Sequence, residues 1–519
     1  MNQEQIYARR WWILAILCLS LVVIGLDNTI LNVALPTLVR DLDASGSQLQ
    51  WIVDSYVLVF AGLLLTMGAL GDRFGRKLAL NLGMVVFLGA SIASAFASSA
   101  DVLIATRAAM GIGGALIMPS TLSILTNVFP PKERGQAIGI WAGVAGLGIV
   151  IGPVIGGYLL EHFWWGSVFL INVPVISVAL IAGYVFIPES KDPVLARLDP
   201  VGALLSIGGL GALVYGIIEA PNHGWTDGAT LSAFAIAAVV LTLFVAWELR
   251  FDHPMLRMEF FENPRFTAAS VSITFVFFAM FGSIFLLTQY LQFVLDYSPL
   301  EAGIRVMPVA SLVIAAPLSA KVVNKVGSKF TVASGLAVVA LSLFILSTIS
   351  DASGYGTVAI MLIGLGLGMG MTMAPATDSI MGSLPLSKSG VGSAMNDTTR
   401  MVGGALGVAV IGSVLSSAYS SSMAGATVGL PPAAASAASD SVGTALAVAG
   451  RLPADAGSAL AATARSAFVD GMGSAVLVGA GVALAGALVA LRFLPSTGRE
   501  EAALPHDRPE PVEAAEVGV

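Results

Sequence analysis

The chain has 519 residues, of which 56% are hydrophobic and 11% charged. Soluble domains carry about 25% charged residues and no folded core hides this much apolar side chain from water, so lipid is the main solvent and a cytosolic enzyme is excluded. A net charge of -7 with only 25 Lys+Arg speaks against nucleic acid as a partner, and the single cysteine, Cys18, forms no intrachain disulfide.

Crossing a hydrocarbon core of about 30 Å takes about 20 mainly apolar residues in a helix, which satisfies its own backbone. Charge-poor windows predict fourteen such helices, near 12–37, 49–71, 78–100, 102–128, 136–160, 165–187, 200–219, 229–248, 266–294, 302–323, 330–350, 356–383, 389–418 and 471–493. Their faces are apolar all round instead of alternating, so the expected fold class is an all-α membrane protein and not a β-barrel. The run from Trp11, behind Arg9 and Arg10, exceeds the apolar part of a signal peptide and no small-residue cleavage site follows, so it reads as a retained first span. Positive charge stays on the cytoplasmic side. With the N-terminus inside, nineteen Lys and Arg fall in cytoplasmic segments, three (Arg40, Arg451, Arg465) outside and three (Arg107, Arg305, Arg400) within spans. Both termini are therefore expected in the cytoplasm.

Charges inside spans are the candidates for function, since each costs at least ~2.5 kcal/mol at mid-membrane and needs a partner, water or a task. At 1.5 Å per residue, Asp27 lies about 24 Å along the helix from Trp11 and Arg107 about 9 Å below the external surface, at similar depths. Asp27 is expected to titrate during transport with Arg107 setting its pKa; a permanent structural ion pair is the competing reading. Asp54 is expected near the external end of the second span, within reach of water, where it and Tyr56 are candidates for contact with a cationic substrate. Arg305 and Asp378 lie near span ends. Met361, Met369, Met371, Met373, Met381, Met395 and Met401 cluster in the twelfth and thirteenth spans. Met373 is the candidate there for an adaptable apolar pocket, against ordinary gap filling. Asp397, a further substrate candidate, is three residues from Arg400 and can pair with it on one helix.

The segment Asp72 to Lys77 recurs 252 residues later as Asn324 to Lys329, and Gly114, Pro119 and Gly152 correspond to Gly370, Pro375 and Gly407. This self-similarity predicts two six-helix halves, 1–190 and 264–494, and an inserted helix pair, 200–249. A cavity between the halves near the midplane would be exposed to either side by rocking. Arg107 has Ile363 as its counterpart, so the halves differ in ionisable equipment. Residues 420–470 read as a long external loop rich in Ala, Ser and Gly, either carrying short helices over 433–451 and 454–469 or poorly ordered. Residues 495–519 read as a disordered acidic cytoplasmic tail. There is no Walker A pattern and no Cys/His metal spacing, and His162, His223, His253 and His506 are scattered, so no catalytic site, metal or cofactor is expected.

On these residues the chain resembles the major facilitator superfamily, and within it the fourteen-span drug:proton antiporters that export quaternary ammonium compounds and antibiotics. The run containing Gly68, Asp72, Arg73, Gly75, Arg76 and Lys77 is similar to the loop between spans two and three, a glycine turn whose charges can latch the halves together in one state. Leu26 to Pro36 resembles the first-span motif, where an acid at the place of Asp27 handles protons or cations. Leu103 to Gly114 resembles the fourth-span motif, whose arginine, here Arg107, is tied to proton coupling. Gly148, Gly152, Pro153, Gly156 and Gly157 resemble the fifth-span antiporter motif, which exporters carry and uptake symporters generally lack. The resemblance implies a multidrug or antibiotic efflux antiporter of the bacterial cytoplasmic membrane, driven by the proton gradient without a cofactor. Its implied partners are amphipathic, cationic or neutral drug-like molecules, protons and the lipid bilayer. An uptake symporter on the same fold, or a dedicated exporter of one endogenous metabolite, stands as the alternative.

Overall fold

The computed structural model describes residues 3–191, 199–251, 254, 258–350, 354–383 and 389–496. In chain order its helices are α1 (Gln3–Leu42), α2 (Gly46–Phe74), α3 (Arg76–Ala95), α4 (Ala100–Val128), α5 (Pro131–His162), α6 (Ser167–Leu170), α7 (Asn172–Phe186), α8 (Pro200–His223) and α9 (Gly228–Glu248). There follow α10 (Pro264–Gln289), α11 (Pro299–Val306), α12 (Ser311–Ser347, broken by a non-helical kink at Gly327), α13 (Tyr355–Met381), α14 (Ser389–Met423), α15 (Pro432–Asp440), α16 (Val442–Ala449) and α17 (Ala454–Phe493). Thirteen described stretches are long and apolar enough to cross a membrane. With α5, a helix of 32 residues, the crossings number fourteen. An even number puts both ends of the described chain on one face, called here the terminal face; the opposite end is the far face.

Local chemistry sets the helix ends. Ser45 starts α2 and Ser298 starts α11, each closing a capping box with the residue three further on, Gln48 and Glu301. Proline stands in the first turn of α5, α8, α10, α11 and α15, where its missing N–H costs nothing. The internal repeat is visible in the backbone. Gly75 and Gly327, 252 residues apart, both take a positive φ, +134° and +84°. Just after each, a backbone N–H reaches the chain beyond a later span: Arg76 donates to the Ser190 carbonyl and Lys329 to that of Pro495. The two turns are built alike although only the first carries the full charged motif.

Helices α1 to α5 and α7 pack mainly on one another, as do α10, α12, α13, α14 and α17. Between the two groups, described contacts gather at the far face. Gly157 of α5 lies against Pro299 and Leu300, and Gly303 of α11 against the Pro153 carbonyl. Gln292 donates 2.9 Å to the Val33 carbonyl, and Gln50 of α2 sits on Gly412 of α14. The far face is thus shut. Helix α8 straddles this seam: Ile207 covers Gly62, Tyr215 lies 6.4 Å from Trp51, and Ser413 of α14 donates 2.7 Å to the Ile217 carbonyl.

Residues 420–470 are mostly helical, as in the reading with short helices and not the poorly ordered one, though with other bounds. The thirteenth crossing runs on to Met423, α15 and α16 replace one helix over 433–451, and the helix from Ala454 is continuous with the last span as α17. Pro453 precedes α17 and can start a helix, but nothing between 454 and 493 breaks one, so the fortieth residue is reached without interruption. The tail expected to be disordered lies outside the described residues beyond Ser496.

Candidate functional site

The register of α4 is fixed at its start by Ser99, whose hydroxyl accepts from the Val102 N–H at 3.3 Å. Two turns on, Arg107 points into the bundle, 1% exposed, and meets Asp27 of α1, 0% exposed. Their Nη1 and Oδ2 atoms are 2.5 Å apart. Arg107 Nε donates to the Ile52 carbonyl of α2 at 3.2 Å, and its guanidinium carbon stands 4.3 Å from the centre of the Tyr56 ring. Three helices therefore converge on one cation. Asp27 Oδ1 and the Tyr56 hydroxyl have no hydrogen-bond partner among the described residues. Removing one member of a buried ion pair costs about 3–5 kcal/mol. Motion that parts α1 from α4 thus requires the acid to be neutralised or re-paired.

The fifth-span glycines lie on the same stretch of α1. A side chain at Gly148 would meet Gly25 and Leu26, one at Gly152 would meet Thr29, and one at Gly156 would meet Ile30. Three turns of α5 thus cover residues 25–30, with Asp27 between them. Gly157 and Pro153 face α11 across the seam. One helix therefore touches both the acid-bearing segment and the opposite group of helices, a mechanical link from Asp27 to the seam.

Asp54, expected within reach of water, is fully buried, and neither of its carboxylate oxygens has a hydrogen-bond partner among the described residues. The expectation counted distance along α2 only; α8 and α14 pack over that helix. Asp397 pairs with Arg400 at 3.6 Å. Arg400 also donates 3.2 Å to Thr377, which donates to Asn396 Oδ1 at 3.1 Å, and it lies 5.6 Å from the Phe277 ring. This is a second polar cluster, in α13 and α14. Met373 is half-buried against the apolar core, and Met361, Met369, Met395 and Met401 are buried within it.

The described contacts of Gly75 and Lys77, in the glycine turn after α2, are made within the N-terminal group of helices. A side chain at Gly75 would strike Glu189, Lys77 Nζ donates 2.8 Å to the Tyr184 carbonyl, and the Lys77 N–H donates to Glu189. Both partners, Tyr184 and Glu189, belong to the end of α7 and the residues after it. Gly68 lies against Pro119 of α4, and Arg73 is exposed beside Phe74. The Asp72 side chain lies outside those described. Sequence reasoning missed Gln50, Gln292 and Asp440, which all act between the two groups of helices. Gln50 and Gln292 carried a signal, an amide inside an apolar run, but the charged residues drew the weight.

A profile of the Major Facilitator Superfamily matches residues 17–408. The chain is 37% identical over 483 residues to a multidrug efflux pump of Mycolicibacterium smegmatis, covering 93% of this chain and 95% of that one. It is 35% identical to a tetracenomycin C resistance and export protein of Streptomyces glaucescens, covering 93% and 91%. It is also 35% identical to a methyl viologen resistance protein of Salmonella typhimurium, covering 89% and 93%. Among solved structures, a bacterial homologue of the human lysosomal transporter Spinster aligns with a TM-score of 0.64 at 19% identity, over 94% of this chain and 98% of that one. A peptide transporter aligns with a TM-score of 0.61 at 16% identity, over 95% and 99%. These two show likeness of fold.

Proposed function

Because this chain belongs to the Major Facilitator Superfamily, we propose that it is a proton-coupled efflux antiporter for drug-like molecules, working by alternating access. The observation that carries the reading is the buried Asp27–Arg107 pair beside the glycine face of α5. Protonation of Asp27 neutralises the acid, frees α1 from α4 and leaves Arg107 with the Ile52 carbonyl and the Tyr56 ring. Movement of α1 is passed through the Gly152 and Gly156 contacts to α5, and from Gly157 and Pro153 to α11, where the far face closes. A proton taken up from the open far face and released on the terminal side then restores the pair, which gives the state described here.

Cargo of amphipathic, cationic or neutral character fits an interface with acids at Asp27, Asp54 and Asp397, partly offset by Arg107 and Arg400. Relatives named for multidrug efflux, for export of tetracenomycin C and for methyl viologen resistance support that class. In the described state Asp54 is closed off, so its turn with cargo or proton belongs to the state open at the far face. The chain lies in the bacterial cytoplasmic membrane with the terminal face inward, consistent with the placement of its Lys and Arg.

The test is proteoliposomes with an imposed pH gradient, following cationic dyes and antibiotics. Wild-type protein should move substrate against the proton flux, and Asp27→Asn should abolish gradient-driven movement while the protein still inserts and expresses. Uphill transport retained by Asp27→Asn refutes the coupling role, and substrate moving with the proton favours uptake.

A further inference from the structure

Between α14 and α17 the chain lays two short helices, α15 and α16, across the far face. They are tied to their own group of helices: Tyr419 of α14 donates 3.1 Å to the Ala438 carbonyl, α16 packs on α17, and only Gly450 to Pro453 separate α16 from α17. They also reach the other group. Gly443 of α16 is wedged against Val39 of α1 as well as Phe293. Asp440, the last residue of α15, accepts the Gly46 N–H at 2.9 Å through Oδ2. Among the described residues this is the one hydrogen bond from 432–449 to residues 3–191.

Gly46 is the first residue of α2, and the first N–H groups of a helix lack internal acceptors and carry partial positive charge. Ser45 takes the Gln48 N–H; the N–H of Gly46 is left to the other half. Asp is among the residues whose side-chain oxygen best satisfies such an end, and that oxygen accepts whether the carboxyl is ionised or neutral. Beneath the bond lies a cavity of about 30 Å³ lined by Gly46, Gln50, Gln289, Gly412, Tyr419 and Asp440, among others. That is room for about one water, so the two groups of helices are in near contact directly under the lid. Any rocking that opens the far face must pull α2 from α14 here and break the bond.

We propose that residues 432–449 are a lid carried by the C-terminal half, and that Asp440 is the latch holding it shut on the N-terminus of α2. Asp440 is a gating residue, remote from Asp27 and from the Asp397 cluster, and sets how readily the far face opens. The proposal rests on the alternating-access reading above.

Two measurements test it in a Cys18→Ser background. First, a single Gln289→Cys reports opening through its rate of labelling by a membrane-impermeant maleimide from the lid side, with no substrate needed. Asp440→Ala should speed labelling on the order of tenfold, the usual effect of losing one helix-cap bond, whereas Asp440→Asn, which keeps an acceptor oxygen, should stay near the parent. Equal rates in all three overturn the latch. Second, an ideal Cβ on Gly46 lies 4.0 Å from the Ser441 Cβ, inside the range for a disulfide. Oxidised Gly46→Cys/Ser441→Cys should lose transport and regain it on reduction; transport unaffected by oxidation also overturns the proposal. If the reduced pair and the parent both fail to transport, the efflux reading falls, while the labelling result still decides the latch.

Discussion

Arg107 is held from three sides, by Asp27, by the Ile52 carbonyl and by the Tyr56 ring, whereas Asp54 is held from none that the described residues show. Both are buried, so the same solvent cost falls on a paired group in one case and an unpartnered one in the other. Burying an unpartnered polar group costs several kcal/mol in apolar surroundings. Asp54→Asn, which removes the ionisable group and keeps its shape, should therefore raise thermal stability in detergent, by about 1 kcal/mol. A fall in Tm would mean that the Asp54 carboxylate has a favourable partner. Asp27 and Arg107 were legible in the sequence because a charge in an apolar run is conspicuous and depth follows from counting residues. The burial of Asp54 was not, since α8 and α14, which pack on α2, begin 146 or more residues downstream of it. The Tyr56 ring over Arg107 was equally hidden, because an aromatic in a membrane helix carries no mark of its neighbour.

Helix α5 acts through its lack of side chains. At Gly152 the Thr29 hydroxyl and the Leu26 carbonyl already occupy the space a side chain would need. Gly152→Val should cost about 1–3 kcal/mol, as overpacking does, read as a lower Tm, with transport reduced further than the same loss of stability produces at a lipid-facing site such as Leu204. Equal effects at both sites would reduce the motif to packing alone. The glycine spacing itself was plain in the sequence; which helix it faced came only with the fold. The lid offers a test of a different kind. Burial lifts the Asp440 carboxyl above its ordinary range, the Gly46 N–H opposes this and Glu219 of α8 adds to it. Around it stand Glu219, itself 3.9 Å from His223, and Tyr419 of α14; Asp101 of α4 reaches Gln48 two residues from Gly46. A pKa higher in the closed lid than in an open, solvated one means that the closed form binds the proton more tightly. Acid on the far face therefore favours closure, and opening grows easier as pH rises past the carboxylate range. The labelling rate at Gln289→Cys, divided by that of the same variant with Asp440→Asn, should increase from acid to neutral pH. A flat ratio would show that Asp440 keeps one charge state throughout.

At the scale of the whole molecule, apolar runs and their separations carried the fourteen crossings, because lipid demands the same length from every span. Of the sequence repeat, the pair Gly75 and Gly327 has a backbone reason: both turns need a positive φ that only glycine takes freely. Residues 420–470 stayed open between helices and a poorly ordered loop because Ala, Ser and Gly are common both in loops and in helices that pack closely, so composition alone leaves the choice to tertiary contacts. The placement of α8 has a practical bearing on cargo. A greasy compound dissolved in the bilayer and drifting sideways toward the crevice between α2 and α14 finds that flank fenced by Ile207, Tyr215 and the carbonyl of Ile217. Without α8 that side door would face the lipid tails.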